Sequence, residues 1–480
     1  MSEYVMTVGL EVHVELKTET KIFCSCKTSF GAPPNTNICP VCMGLPGALP
    51  RLNKKAVEYA VKAGLVTNCE ISEVSAMDRK NYFYPDLPKA FQISQNEAPL
   101  CKNGYVEINT HEGIKKIGIE RIHIEEDAGK LIHDEKSTLI DYNRCGTPLI
   151  EIVSRPDIHS AEDAKSYLKK LRSLLLCAKV SDCKMNEGSL RCDVNISVNE
   201  KGAERLGTRT EIKNINSFAF VAKAIDAEFK RQCEILKNGG NIRCETRRFN
   251  SSSAKTELMR VKETSDDYRF FHEPDIKSIS VSKEDIARIK KALPELPDQR
   301  KQKYVSWGLS DYDSELLSSD ISISEYFEAV AKQTPHKKTL ANILLGEGLR
   351  LCETEDFQCP INTESIAELS ELLEDELINS SVAKKLVARL WKSAENGEHM
   401  PPRNIVEQEN LWQINDTEVL TKEVKFSIEN DPRSVDAFLS GKSNALKALM
   451  GRIMANTGGL ANPKIAENIL LDALSKIKNK

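Results

Sequence analysis

Four cysteines in two close pairs tie residues 24–42 to one local geometry: Cys24 with Cys26, then Cys39 with Cys42, with twelve residues between the pairs. Each thiolate pair can hold one edge of a tetrahedral ion. Four sulfur ligands close the coordination sphere, so the pattern predicts a structural Zn²⁺ and not one that activates water. Iron is the other metal that four thiolates admit. Pro40 and Gly44 favour the tight turn of a metal knuckle. Just before it runs GLEVHVEL, residues 9–16, whose alternation reads as a strand with Glu11, His13 and Glu15 on one face. A metal knuckle beside carboxylates on a strand points to an enzyme domain more than to a simple binding module.

A chain of 480 residues is too long for one core and predicts two to four domains. With 40% hydrophobic and 29% charged residues it has an ordinary globular composition. The formal net charge of -4 advertises no global field for nucleic acid, although it leaves a local basic surface open. No stretch approaches about 18 continuous apolar residues, so no membrane span is expected. The opening MSEYVMTVGLEV has neither a basic segment nor a leader-length apolar run, which predicts a cytoplasmic protein. Most of the 14 cysteines stand singly, as at Cys69, Cys101, Cys145, Cys177 and Cys352, and read as reduced.

Along the chain, strands are expected at 4–16, 104–109, 115–123, 138–141, 149–153, 190–198 and 208–214. Residues 78–95, DRKNYFYPDLPKAFQISQ, read as an irregular segment rich in aromatics and proline, and EEDAGK reads as a turn. Helices are expected over 53–67, over 160–177 with Ser160 as N-cap and Glu162 and Asp163 in the first turn, and from Phe218 to Leu236, ended by Asn238-Gly239-Gly240. KALPELPDQR, at 291–300, marks a boundary, after which the strand signal nearly vanishes. The expected fold class is therefore α+β: a strand-rich domain over 1–292, an all-helical domain over 293–407, and a small helical tail over 408–480.

Three sets of residues can carry chemistry. The cysteines are one. Glu11, His13, Glu125, Glu126 and Asp127, with Asp193 and Glu211 on later strands, form an acidic set that would cost desolvation energy without a counterion. Mg²⁺ would neutralise it and could bridge phosphates; a solvated acidic face is the plainer alternative. Arg79, Lys80, Arg191, Arg209 and Lys213 form a basic set that could grip phosphate or serve in ordinary ion pairs. GSLRCDVNISV and GTRTEIKNINSF place Arg191 with Asp193, and Arg209 with Glu211 and Lys213, on alternate positions and so on one strand face. There is no GxxxxGK[ST] loop and no GxGxxG motif opening a βαβ unit. Any nucleotide site is of another type. His123 shares a strand face with Glu125 and reads as structural.

GLEVHVEL, NTNICPVCMGLPGALP, DRKNYFYPDLPKAFQISQ, IHIEEDAGK, MNEGSLRCDVNISV, GTRTEIKNINSF and DDYRFFHEPD occur in this order. In number and order they resemble the GatB family of the aspartyl/glutamyl-tRNA amidotransferases over nearly the whole chain. The related archaeal GatE family shares the catalytic domain but carries an inserted domain with no counterpart here. The resemblance implies a heterotrimer with an amidase subunit, which releases ammonia from glutamine or asparagine, and a small third subunit. It implies that the chain binds misacylated tRNA(Gln) and/or tRNA(Asn) and uses ATP to phosphorylate the esterified amino acid's side chain. It implies a cradle domain with an antiparallel sheet like the glutamine synthetase catalytic fold. Among its residues, Glu11, His13, Glu125, Glu126, Asp193 and Glu211 are implied as catalytic, with Mg²⁺ on Glu11, His13 and Glu125. Lys80, Arg191 and Lys213 are implied as phosphate or substrate contacts, and structural Zn²⁺ on Cys24, Cys26, Cys39 and Cys42. The tail is implied to grip tRNA, although Ala455 and Gly459 stand where relatives commonly carry basic residues, which implies a weaker grip. Two other readings compete: an ATP-dependent carboxylate–amine ligase that uses no tRNA, and a noncatalytic zinc-containing tRNA-binding scaffold.

Overall fold

The computed structural model describes residues 3–134, 136–261, 268–353, 357–442 and 444–478. Asp266 and Asp267 of the DDYRFFHEPD motif, and the final Asn479 and Lys480 of the basic C-terminal run, lie outside the described residues. Two compact units divide between Leu296 and Pro297. The first combines a mixed sheet with helices, and the second is helical.

The first unit begins with β1 (Tyr4–Glu15), α1 (Lys54–Val66), β2 (Glu70–Ile71), β3 (Val74–Ser75), β4 (Asp78–Asn81), β5 (Phe91–Ser94), β6 (Cys101–Thr110) and β7 (Gly113–Glu126). It continues with β8 (Lys130–His133), β9 (Thr138–Asp141), β10 (Pro148–Ser154), α2 (Ala161–Cys177), β11 (Leu190–Glu200), β12 (Thr210–Ile215) and α3 (Phe218–Lys237). It ends with β13 (Glu245–Asn250), β14 (Lys255–Val261), β15 (Phe271–His272), β16 (Ile279–Ser280) and α4 (Lys283–Lys291). Nine strands form the main sheet, in the order β14-β13-β12-β11-β1-β10-β7-β6-β2.

The expectation of an antiparallel sheet needs one correction, because β12 and β13 run parallel. A parallel pair cannot be joined by a tight turn, and α3 supplies the crossover. Ser217 caps α3 by accepting the Phe220 N–H, and Gly239 ends it at φ +73. Ser160 caps α2 through the Asp163 N–H at 3.0 Å. Strand β1 sits in the middle of the sheet. Its Val8, Leu10, Val12 and Val14 are fully buried in a core shared with Ala60, Leu168, Leu171 and Val221 of the three long helices. Each such side chain contributes roughly 1.5–3 kcal/mol. The intervening residues of β1 must face the other way, onto the side that carries the polar residues.

Residues 78–95 are more regular than their composition suggests. β4 and β5 pair antiparallel with Arg79 opposite Ile93, and β15 adds a third strand. Strands of four residues with charged and aromatic side chains carry too little alternation to be recognised. The same applies to β13 and β14, ETRRFN and KTELMRV, whose charges pair across the hairpin, as in Arg248–Glu257 at 2.9 Å. Glu125 and Glu126 belong to the end of β7, so the turn expected over EEDAGK begins only at Asp127.

The second unit runs from helix Pro297–Ser306 to helix Pro463–Lys478. It has two hydrophobic clusters, one around Tyr304, Phe327, Leu369 and Leu390, the other around Leu420, Leu449 and Leu470. Among the described residues, no helix is long and apolar enough to cross a membrane.

Candidate active site

Register places the polar row. Glu11 on β1 stands opposite Asp193 on β11, and His13 stands between Arg191 on β11 and Glu151 on β10. Glu151 in turn faces His123 on β7. Two groups of donor atoms result, each within 4.8 Å of one another: His13, Glu125 and Glu151, and Glu11, Asp193 and Glu211. Carboxylate oxygens with a single imidazole fit a hard divalent cation such as Mg²⁺.

In the first group, His13 Nε2 lies 3.8 Å from Glu125 Oε1 and 3.5 Å from Glu151 Oε2. His123 Nε2 lies 3.7 Å and 3.3 Å from the same two carboxylates, and Ser94 donates to Glu125 at 3.2 Å. Burial alone would strip the proton from both imidazoles, but the Glu151 and Glu125 charges outweigh it. His13 is raised, and His123 is raised to about 9. Burial opposes the charge on Glu151, yet His123 and His13 hold its carboxyl well below the usual range.

In the second group, Asn195 donates to Glu11 at 2.9 Å and Thr246 to Glu211 at 2.8 Å. Lys213 Nζ reaches Asp193 at 2.6 Å and Glu211 at 3.0 Å. Burial, then the Glu151 charge, raises the Glu11 carboxyl. A hollow of 250 Å³ opens beside Glu11, lined in part by Gly9, Ser154, Asn195, Leu206 and Arg209.

The other expected residues are not members of either donor set. Glu126, next in sequence to Glu125, turns to the opposite side of β7. It pairs with Lys89 at 2.5 Å and accepts the Ile93 N–H at 2.9 Å. It lines a 190 Å³ cavity together with Cys24, Cys42 and Lys21, away from both donor groups. Arg191 is engaged by Asp127 at 2.5 Å. Lys80 lies against the rings of Tyr268, at 4.6 Å, and Tyr82, at 5.8 Å. Arg79 clasps Glu273 through two bonds of 2.7 and 3.1 Å. Glu151, Asn195, Thr246, Ser94 and Lys89 escaped the sequence reading. Glu151 had a signal, since it is the only charged residue in the buried run PLIEIVS. The others are polar residues whose role exists only across strands.

Glu15 and Asp127 share a hydrogen bond. Burial and the neighbouring Asp127 charge push Glu15 from 4.5 up to about 8. Burial opposes Asp127 ionisation, but Arg191 and Arg144 pull its carboxyl below 3.8. The folded chain therefore keeps a proton on Glu15 that the unfolded chain loses near pH 4.5. This contribution is whole below pH 4.5 and fades as pH rises to about 8. Glu15→Gln is expected to flatten the fall in stability over that window. Thermal melts of both proteins from pH 5 to 9 check it; parallel curves would refute it.

The knuckle brings all four cysteine sulfurs within 4.8 Å of one another. Cys39 and Cys42 Sγ are 3.9 Å apart, close to the roughly 3.8 Å edge of a Zn–S₄ tetrahedron with 2.3 Å bonds. Lys21, fully buried, sets its ammonium 3.7 Å from Cys42 Sγ, and a hydrogen bond from Cys24 with the Lys21 charge pulls that thiol down against burial. The donor set and spacing fit a structural zinc ion.

Residues 6–287 match the family model described as the GatB/GatE catalytic domain, and residues 325–474 match the GatB domain model. A protein of Caldicellulosiruptor saccharolyticus is 48% identical over 99% of this chain and 100% of its own length. Proteins of Caldanaerobacter subterraneus and Clostridium botulinum are 49% and 46% identical with the same coverage. All three are named as the B subunit of the aspartyl/glutamyl-tRNA(Asn/Gln) amidotransferase. With two domain models matched in order and near-half identity from end to end of these relatives, the chain belongs to the GatB family.

Proposed function

We propose that this chain is the GatB component of a tRNA-dependent amidotransferase. It holds the 3′ end of misacylated Glu-tRNA(Gln) and/or Asp-tRNA(Asn). The side-chain carboxylate attacks the γ-phosphorus of ATP, giving an acyl phosphate and ADP. Ammonia, released from glutamine or asparagine by the amidase partner, attacks the acyl carbon. Phosphate leaves, and Gln-tRNA(Gln) or Asn-tRNA(Asn) forms. A small third subunit completes the heterotrimer. A carboxylate cannot expel its own oxygen to ammonia, and phosphorylation makes that oxygen a leaving group.

The single observation that carries this reading is the convergence of Glu11, His13, Glu125, Glu151, Asp193 and Glu211 from five strands onto two donor sets on one sheet face. Mg²⁺ held there supplies neutralisation of the triphosphate and of the transferring phosphoryl group. Around it the chain's own groups position the donors. Asn195 and Thr246 hold Glu11 and Glu211, and Ser94 and His123 hold Glu125. The hollow beside Glu11 takes the nucleoside end of ATP, with Arg209 at its rim. Lys80 remains a substrate contact in this reading, and Arg191 acts through Asp127. Glu126 serves with Lys89 at the neighbouring cavity.

We also infer that the first unit shares the glutamine synthetase catalytic fold. A largely antiparallel sheet with helices behind it and acids in front supports that. In the same reading the domains are 1–292, 293–407 and 408–480, and the tail grips the tRNA body. The separate apolar cluster around Leu420 and Leu470 supports a distinct tail. Ala455 is exposed on helix Asn444–Asn456, whereas Gly459 has φ +82, where lysine would be strained. Ala455→Lys is therefore expected to tighten tRNA binding and steepen its salt dependence by about one unit of log–log slope. Binding titrations across salt measure both, and an unchanged slope would sink the tail assignment.

The deciding experiment combines the chain with its amidase and small partner subunits, ATP, Mg²⁺ and ammonium, and supplies Glu-tRNA(Gln) or Asp-tRNA(Asn). Amidated product is expected from at least one. An intact complex that converts neither refutes the reading in favour of a ligase without tRNA or a scaffold.

A further inference from the structure

The second donor set carries its own cation. Lys213 touches two of its three carboxylates, Asp193 and Glu211, at 2.6 and 3.0 Å. The backbone departs from regular strand geometry at this position. Ile212 and Ile215 are both buried although they are three residues apart, which strict alternation forbids. Pairing skips accordingly. Val194 faces Ile212 and Cys192 faces Ile215, so Lys213 and Asn214 together oppose the single residue Asp193. Asn214 takes up the extra residue at φ +61. A bulge of this kind gives up ladder bonds and holds a non-glycine residue in a left-handed conformation, a combination that gathers where a side chain must be aimed. Here it leaves Glu211 and Lys213 side by side on the acidic face while both isoleucines stay in the core.

An ammonium at 2.6 and 3.0 Å from these two carboxylates occupies oxygen lone pairs that a divalent ion would use, and the two positive charges repel each other at that range, so the two compete for the site. Three carboxylates cannot wait there without a counterion. The geometry points to Lys213 as a built-in counterion that a divalent cation expels, so that cation uptake at Glu11, Asp193 and Glu211 transfers one ammonium from the carboxylates toward the nucleotide phosphates. The inference rests on the proposed function, in which this set holds a cation, and it adds an order of events. Free metal competes with Lys213 and binds weakly. Metal that arrives with a triphosphate offers the displaced ammonium a new partner and binds tightly. Lys213 is then both gatekeeper of the second cation and phosphate ligand, in sequence.

The test uses the assembled heterotrimer. Lysine acylation by acetic anhydride, read by mass spectrometry, reports whether the Lys213 ammonium is engaged. Mg²⁺ alone is expected to raise acylation of Lys213 several-fold, and Mg²⁺ with a non-hydrolysable ATP analogue to lower it again. In parallel, Mn²⁺ titrations followed by electron paramagnetic resonance are expected to show Lys213→Met binding one Mn²⁺ about tenfold or more tighter than the unaltered chain, since the competing state is removed. Lys213→Arg is expected to stay near the unaltered affinity. Acylation that ignores Mg²⁺ while Mn²⁺ still binds overturns the displacement alone. Glu11→Gln that removes no Mn²⁺ equivalent overturns the cation reading and the displacement with it.

Discussion

Glu125→Gln is expected to lower ATP-dependent formation of amidated tRNA by about 10³-fold or more, a loss of roughly 4 kcal/mol of transition-state stabilisation. Its affinity for the misacylated tRNA is expected to change by less than about twofold. The substitution keeps the size of the side chain and an acceptor for Ser94, and removes only charge. That charge is shared. Glu125 is almost fully buried and lies within 4 Å of both His13 and His123, so its loss leaves two imidazoles to Glu151 alone. Phosphoryl transfer offers a protein little covalent work, so catalysis lies in positioning and charge neutralisation. A donor set stripped of one of its two carboxylates loses both. Single-turnover rates with saturating tRNA separate chemistry from binding. A variant that retained more than about a tenth of the rate would remove Glu125 from the machinery, and a matching loss of tRNA affinity would make it a binding residue instead.

The second large effect is expected at the knuckle. Cys42→Ser should reduce bound zinc from one equivalent to none and lower the melting temperature by about 10 °C. Two contributions add. The open tetrahedron loses the ion that holds residues 24–42, where loops carry few regular hydrogen bonds of their own. The Lys21 ammonium, with no solvent exposure, is left with the Tyr142 carbonyl at 3.2 Å and a neutral hydroxyl where the thiolate stood. Stranding one partner of a buried charge pair costs on the order of 3–5 kcal/mol. Metal analysis by mass spectrometry and melts with and without chelator give the measurement. Chelation that strips the metal without shifting the melt would deny it a structural role, and iron in place of zinc would revise the ion but not the site.

What the sequence disclosed and what it hid divide along a physical line. β1, α2 and α3 were legible because each buries a face at fixed period, while α2 begins at the Ser160 cap and α3 ends at Asn238-Gly239-Gly240. The cysteines were legible because the spacing alone fixes their geometry. Glu11, His13 and Glu125 stood out as charges interrupting apolar strands. The sequence could not disclose register, and register decides partners. Nothing in IHIEEDAGK says that Glu125 meets His13 while Glu126, one residue on, meets Lys89 on the other side of the strand. Nothing in GTRTEIKNINSF shows that β12 gains a residue opposite Asp193 or that Thr246, 35 residues downstream, will brace Glu211. The charged hairpin of β13 and β14 was overlooked for the converse reason. Its ion pairs replace the hydrophobic alternation by which strands are recognised.

The middle strand of the sheet has a consequence for how such a chain can change over time. On β1, residues that anchor the interior and residues that furnish the ligands alternate one for one, from Leu10 to Val14. A single inserted or deleted residue there would exchange the two sets, sending carboxylates into the interior and valines to the ligand face. Folding and chemistry would then fail together. Copies in which the ligands had slipped but the fold survived would not persist as intermediates. The oily half of the strand thus acts as a proofreader for the acidic half. Variation in catalytic behaviour is left to point substitutions and to the loops beyond the ends of the strand.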